Sequence, residues 1–197
     1  QCELIVAKVR SLQKAQNSQV VLAALQLACD ERNADIVSMS FNGKKEDKPI
    51  ADFIADHFTN MNKLFIASVG NIGALGKDLP AYPANYEGCI SIGAYGHGRM
   101  HWIDSAWNSK LTFISPGVEL KGYQLSGVTD ILPSATSYAC PFSAGVLACI
   151  LSHYKKSGKT FNAADFVQRI ITDAVPEDAP LKYGRGIIHP EETIKNL

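Results

Sequence analysis

Four short apolar runs constrain this chain more than any other feature: Asp35–Ser40, Leu64–Val69, Cys89–Ala94 and Leu111–Ser115. Runs of this length, rich in Val, Ile and Leu, read as strands of a sheet covered on both faces. Helical patterns lie between and around them. Gln19–Cys29 is apolar and of helical length, Pro49–Met61 is amphipathic with proline in its first turn, and Phe161–Asp173 and Pro190–Lys195 are helical toward the end. A further β-rich run, Leu4–Val9, opens the chain. Strands alternating with helices require parallel pairing through right-handed crossovers. The expected class is therefore α/β, a doubly wound, mainly parallel sheet with helices on both faces. Ser137–Tyr154 is the longest helical pattern and is apolar nearly all round, which predicts a helix buried at the centre of the molecule. The longest irregular stretch is the loop from Gly73 to Tyr86.

A chain of 197 residues suits one domain with a sizeable core, and residues 1–197 are read as one. With 46% hydrophobic and 19% charged residues the composition is that of a folded protein. The net charge is zero, without the clustered basic excess of a phosphate-backbone binder, so no nucleic-acid partner is expected. No apolar run approaches the roughly 20 residues that cross a bilayer, so no membrane is expected either. Gln1-Cys2-Glu3-Leu4 has no basic region ahead of an apolar stretch, and Gln1 is not an initiator Met; the expectation is a chain trimmed or excised from a longer one. Five cysteines, an odd number without a CxxC, sit mostly in apolar segments. They read as reduced thiols in the interior, which tilts the localisation toward the cytoplasm.

In open α/β sheets ligands bind beyond the carboxyl ends of the strands. Three segments fall there: Gly70-Asn71-Ile72-Gly73 after Leu64–Val69, Phe41-Asn42-Gly43 after Asp35–Ser40, and Ala135-Thr136-Ser137-Tyr138-Ala139-Cys140-Pro141 leading into the long helix. A serine at a helix N-terminus sees free backbone N–H groups and the positive end of the dipole, which suits a nucleophile whose reaction develops an oxyanion. Taken singly, Ser137 would be an ordinary N-terminal helix serine and Asn71 a turn residue. The five histidines are scattered. His97 and His101 read as a surface turn and not a metal pair, His57 as exposed on its helix, and none is assigned as a base. Gly93, Gly96 and Gly98 lack dinucleotide-loop spacing, Lys44–Lys48 reads as a solvated loop, and no cofactor or metal is implied.

Six segments in order carry a family resemblance: Asp35 to Gly43, Ser68-Val69-Gly70-Asn71-Ile72-Gly73, Tyr82-Pro83 with Ile90 to Ala94, Ser115-Pro116-Gly117-Val118, the Ala-Thr-Ser-Tyr-Ala-Cys-Pro segment, and Tyr183-Gly184-Arg185-Gly186-Ile187-Ile188. The chain resembles the C-terminal two-thirds of a subtilisin-like (S8) serine peptidase domain, truncated at its N-terminus with strands missing there. The resemblance implies Ser137 as nucleophile and the Asn71 side chain, with the Ser137 N–H, as oxyanion donors. It implies that Ser40, Phe41 and Asn42 pair with an extended peptide or protein substrate, and that Val69 and Gly70 wall the pocket for the residue before the cleaved bond. It also implies a cis Tyr82–Pro83 bond. The family's D-[ST]-G and H-G-T-H motifs do not occur. Ala135, Tyr138, Cys140, Phe142 and Asn42 stand where the family has Gly, Met, Ser, His and Gly, and Ala135 is expected to tighten the turn. Two expectations follow: a serine endopeptidase whose Asp and His come from a separate segment, or an inactive pseudopeptidase that binds peptides or acts in assembly.

Overall fold

The computed structural model describes residues 2–9, 17–75, 78–124 and 126–196. The four apolar runs form one parallel sheet. Its strands β1 (Ile36–Met39), β2 (Leu64–Ser68), β3 (Cys89–Tyr95) and β4 (Phe113–Pro116) are hydrogen-bonded in that order. All five residues of β2 are buried, and the two-residue period divides them between two cores. Phe65 and Ala67 join Val21 and Leu25 of α1 (Ser18–Gln26) and Ile50 and Ile54 of α2 (Lys48–Thr59). Leu64 and Ile66 face the opposite way, joining Leu147 and Ile150 of α3 (Thr136–Lys156) and Phe166 and Ile170 of α4 (Ala163–Asp173). A strand covered on both faces has no polar side, which explains the unbroken apolar runs.

Local chemistry sets the helix starts. The Asn17 side chain accepts from the Gln19 N–H, Asp47 from the Ile50 N–H at 3.3 Å, and Asn162 from the Asp165 N–H at 3.0 Å. Asp47 belongs to the loop expected to be wholly solvated, yet it is half-buried, and its backbone N–H donates to the Tyr86 hydroxyl at 2.7 Å. Replacing Asp47 by alanine removes the cap and keeps that backbone bond. The expected cost is about 1 kcal/mol, seen as a lower urea midpoint with unchanged slope.

Several expectations are corrected. Leu4–Val9 is not a strand: Leu4 and Val6 are 85% and 81% exposed. An extended apolar run becomes a strand only where a neighbour offers its N–H and C=O groups, and none of the described residues does. Only the β1-to-β2 crossover carries a helix. The other two are loops with single turns at Gly73–Leu75 and His97–Arg99, and the first buries Ala81, Ala84 and Tyr86 in place of a helix. Tyr82–Pro83, in that loop, is cis. The long helix α3 is buried on one side only; Phe142, Gly145 and Cys149 are exposed, because its apolar outer side meets no other element among the described residues. An antiparallel pair, β5 (Lys121–Tyr123) and β6 (Thr129–Ile131), and a short α5 (Pro180–Tyr183) have no counterpart in the sequence expectations, whereas α6 (Pro190–Lys195) does.

His57 is not exposed. Its ring stacks on Phe53 with centroids 3.7 Å apart, and Nε2 meets Asp30 at 2.9 Å. Cys29 and Cys140 are buried and Cys89 is half-buried, whereas Cys2 and Cys149 are exposed; all five thiols are unpaired. Burial pushes Cys29 up to about 11 and raises Cys89 and Cys140 as well, so these three stay protonated. No helix among the described residues is long and apolar enough to cross a membrane.

His101 pairs with Tyr95 through an isolated antiparallel backbone bridge, and its ring centroid lies 5.8 Å from that of Tyr183, with its buried Nε2 unpartnered among the described residues. Burial, aided by Lys182, holds its titration below the usual 6.5. The unfolded chain then binds this proton more readily than the folded one, so His101 contributes stability above pH 6.5 that is lost as pH falls toward its lower folded value. Urea midpoints between pH 7.5 and 5.5 should fall less in His101→Gln than in the wild type.

Candidate active site

The site lies where β1 and β2 end and α3 begins. β2 runs into Val69, Gly70 and Asn71, and Gly70 takes φ +97°, a left-handed turn that glycine adopts without strain. β1 runs into Ser40, Phe41 and Asn42, of which Ser40 and Asn42 are exposed and Phe41 is half-buried. Just beyond them Gly43 is tied to Tyr82 by two backbone bonds of 2.8 and 2.9 Å, so the open edge ends at Asn42. On the outer flank of this edge Phe41, Gly43, Ile50, Tyr82 and Tyr86 line a cavity of about 260 Å³.

Thr136, fully buried, joins the pieces. Its Oγ1 accepts from the Gly70 N–H at 3.2 Å and donates to Asn71 Oδ1 at 2.8 Å, and its N–H donates to the same Oδ1 at 3.0 Å. The carbonyl side of the Asn71 amide is thereby engaged twice, which leaves Nδ2 as the free, exposed donor. Ser137 is the next residue, half-buried in the first turn of α3, where backbone N–H groups have no helical partner. Ala135 at the N-cap has φ −164°, an extended conformation open to any residue. The turn is therefore not tightened by the missing glycine.

Pro141 fixes the other side. A residue at that position of a helix would donate its N–H to the Ser137 carbonyl four residues back; proline has none. The freed carbonyl instead accepts from Ser40 Oγ at 2.9 Å, and Ser137 Oγ in turn donates to the Ser40 carbonyl at 3.4 Å. This pair of bonds clamps the end of β1 to the first turn of α3. Cys140, behind Ser137, donates its thiol to the Ile66 carbonyl at 3.6 Å and lies 3.5 Å from Ser38 Oγ, so it is a core group and not a nucleophile.

The structure places Ser137, Asn71, Ser40, Asn42, Val69 and Gly70 near one another where β1 and β2 end and α3 begins, with Phe41 on the flank. Sequence reasoning missed Thr136 and Pro141, although their signals are present: a hydroxyl one residue before Ser137 and a proline four residues after it. No histidine is hydrogen-bonded to Ser137. His57 is engaged with Asp30, His97 with Glu119, and His189 Nδ1 accepts from the Glu192 N–H to cap α6. Among the described residues no group of three or more His, Cys, Asp or Glu side chains is placed to hold a metal.

This architecture has relatives. The sequence model of the Subtilase family, peptidase S8, matches residues 1–186. The chain is 26% identical over 162 residues to subtilisin DY of Bacillus licheniformis, covering 82% of this chain and 57% of that protein. It is 25% identical over 194 residues to an intracellular serine protease of Paenibacillus polymyxa, covering 96% and 58%. The chain therefore spans a little over half the length of these curated relatives. Among solved structures, the prenylagaramide maturation protease PagA superposes with a TM-score of 0.83 at 21% identity, over 95% of this chain and 70% of that one. The PatG macrocyclase in complex with peptide superposes with a TM-score of 0.79 at 22% identity, over 90% and 56%. These two likenesses are of fold, and the match of the family to nearly the whole chain gives the assignment: this protein belongs to the subtilase family.

Proposed function

We propose that this chain is the serine-bearing part of an endopeptidase domain that hydrolyses peptide bonds through an acyl-enzyme, with the base and its orienting carboxylate supplied by a segment outside residues 1–197. The observation that carries the proposal is the Thr136 junction, which fixes Ser137 beside an Asn71 amide whose only free polar group is a donor. In this reading Ser137 Oγ bonds to the scissile carbonyl carbon and gives its proton to the base. The carbonyl oxygen becomes an oxyanion held by Asn71 Nδ2 and the Ser137 N–H. Collapse breaks the C–N bond, the amine leaves with a proton, and water then cleaves the ester. An extended peptide would pair along Ser40–Asn42, and the neighbouring cavity would take a side chain further upstream.

Two features support a separate segment. β1 is the edge of the described sheet, and its outer side has no ladder partner among the described residues. Leu4–Val9 has no strand partner among the described residues. The test is to combine the chain with the flanking sequence of its own precursor and treat it with an alkyl fluorophosphonate. Labelling at Ser137, absent from Ser137→Ala, is the expected result. Precursor sequence without an Asp and a His in family context, together with no labelling, supports the second reading. That reading is a pseudopeptidase acting as a peptide-binding or assembly module, and it is favoured by the Ser137 hydroxyl donating to a backbone carbonyl and not to a base.

A further inference from the structure

The two strand ends beside Ser137 leave a gap between them, and Asn42 reaches across it. In the peptidase reading above, Val69 and Gly70 wall the pocket for the residue before the cleaved bond. Val69–Asn71 then stands on one side of it and Ser40–Asn42 on the other. In that reading its side chain enters the gap between these two backbone segments. Gly70 contributes no side chain to that gap, and its φ of +97° disfavours any residue that would. Asn42 does contribute one. A Cβ placed on Gly70 would lie 2.9 Å from Asn42 Nδ2, 3.1 Å from Oδ1 and 3.2 Å from Cγ, so the carboxamide rests against the glycine. Among the described residues this carboxamide has no hydrogen-bond partner, and no other side chain comes as near to Gly70 from across the gap.

We infer that Asn42 sets the specificity of the site: it restricts the residue before the cleaved bond to small side chains, Gly, Ala or Ser, and turns away aromatic and long aliphatic ones. The inference rests on the peptidase reading above. The mechanism is occupancy. The space a large side chain would enter is already filled by a polar group, and admitting that side chain requires Asn42 to leave its rotamer and swing into solvent. Because the carboxamide is tethered by no hydrogen bond, the exclusion is graded, on the order of 10- to 100-fold, the range typical of pocket-size discrimination.

The test uses two peptidyl diphenyl phosphonates, identical except for an Ala or a Phe side chain at the position before the reacting phosphorus. Both are reacted with the chain combined with its precursor's flanking sequence. An alkyl fluorophosphonate, too small to enter the gap, serves as control on the wild type. Wild type should react about 10- to 100-fold faster with the Ala probe. Asn42→Gly and Asn42→Ala, the second keeping a backbone no freer than the original, should each shift the Ala-to-Phe rate ratio toward Phe by at least about 10-fold. Control labelling of wild-type Ser137 together with a ratio that does not move in either variant, or a wild-type preference for Phe, overturns the role of Asn42 and leaves the peptidase reading standing. Absence of control labelling overturns that reading, and this inference with it.

Discussion

The 197-residue chain alone is expected to turn over no peptide, and the same chain completed by its base and carboxylate is expected to lose on the order of 10⁶-fold in kcat when Ser137 becomes alanine; that magnitude is the one measured for the serine of subtilisin itself. The two halves of this expectation have one cause. A serine hydroxyl is a weak nucleophile until a base takes its proton. In the chain as described, the Ser137 proton is directed at the Ser40 carbonyl, a group that accepts a hydrogen bond and cannot accept a proton. In the proposed reading what remains is the pair of oxyanion donors, a contribution that in subtilisin amounts to only about 10³–10⁴-fold over water. The measurement is peptide hydrolysis by purified chain beside its Ser137→Ala variant, each with and without the completing segment. Turnover by the isolated chain that vanishes with Ser137 would overturn the expectation and require a base among its own residues.

In the completed domain Asn71→Ala should lower kcat by about 10²–10³-fold with little change in KM, again a magnitude known from the equivalent asparagine of subtilisin. The split between kcat and KM matters because, in the proposed reading, the amide serves a charge that exists only in the transition state. In the proposed reading Thr136 acts through Asn71 as a positioning residue. Thr136→Val removes the 2.8 Å bond to Asn71 Oδ1 and leaves the Gly70 N–H without its acceptor, while the Thr136 N–H bond to the same Oδ1 remains. Its kcat loss should therefore be smaller than that of Asn71→Ala. Thr136→Ser, which restores the hydroxyl, should recover most of it, and a purely structural role for Thr136 would instead show as lowered stability with kcat per folded molecule unchanged.

Most of the sheet was legible because β2, β3 and β4 are buried on both faces and so advertise themselves as apolar runs, while β1 carries the half-buried Ile36 and Val37 and the exposed Ser38. The strand bounds shifted where a residue at the end served a loop: Leu111 and Thr112 precede β4, and Ser40 leaves β1 to bond α3. Leu4–Val9 shows the limit of this signal, since the run has the composition of a strand and lacks a partner. The long helix shows another. Its apolar outer residues, Phe142 and Cys149, mark a side suited to burial, but composition does not say what would cover it. Ser137 and Asn71 were singled out from the family segments. Thr136 and Pro141 were not, because their roles are relations: a hydroxyl that serves two residues some 65 positions earlier, and an N–H whose absence frees a carbonyl for a third segment. Asn42 was noted as a departure from the family, yet only its distance from Gly70 turns that departure into a statement about fit.

The parallel sheet also governs how the molecule is made. Its rungs join Ile36 to Leu64, Phe65 to Cys89, and Ile92 to Phe113, separations of 28, 24 and 21 positions. None can be nucleated by a hairpin, so each requires a loop to close before any bond rewards it. The helix bearing Ser137 then has to dock across strands laid down much earlier in the chain. Folding of this sheet is accordingly slow for its size. While it proceeds, the outer side of β1, which has no ladder partner among the described residues, is a template on which the same strand of another molecule can pair. Yield on refolding should therefore depend steeply on protein concentration, and dilution will recover more native chain than any change of temperature.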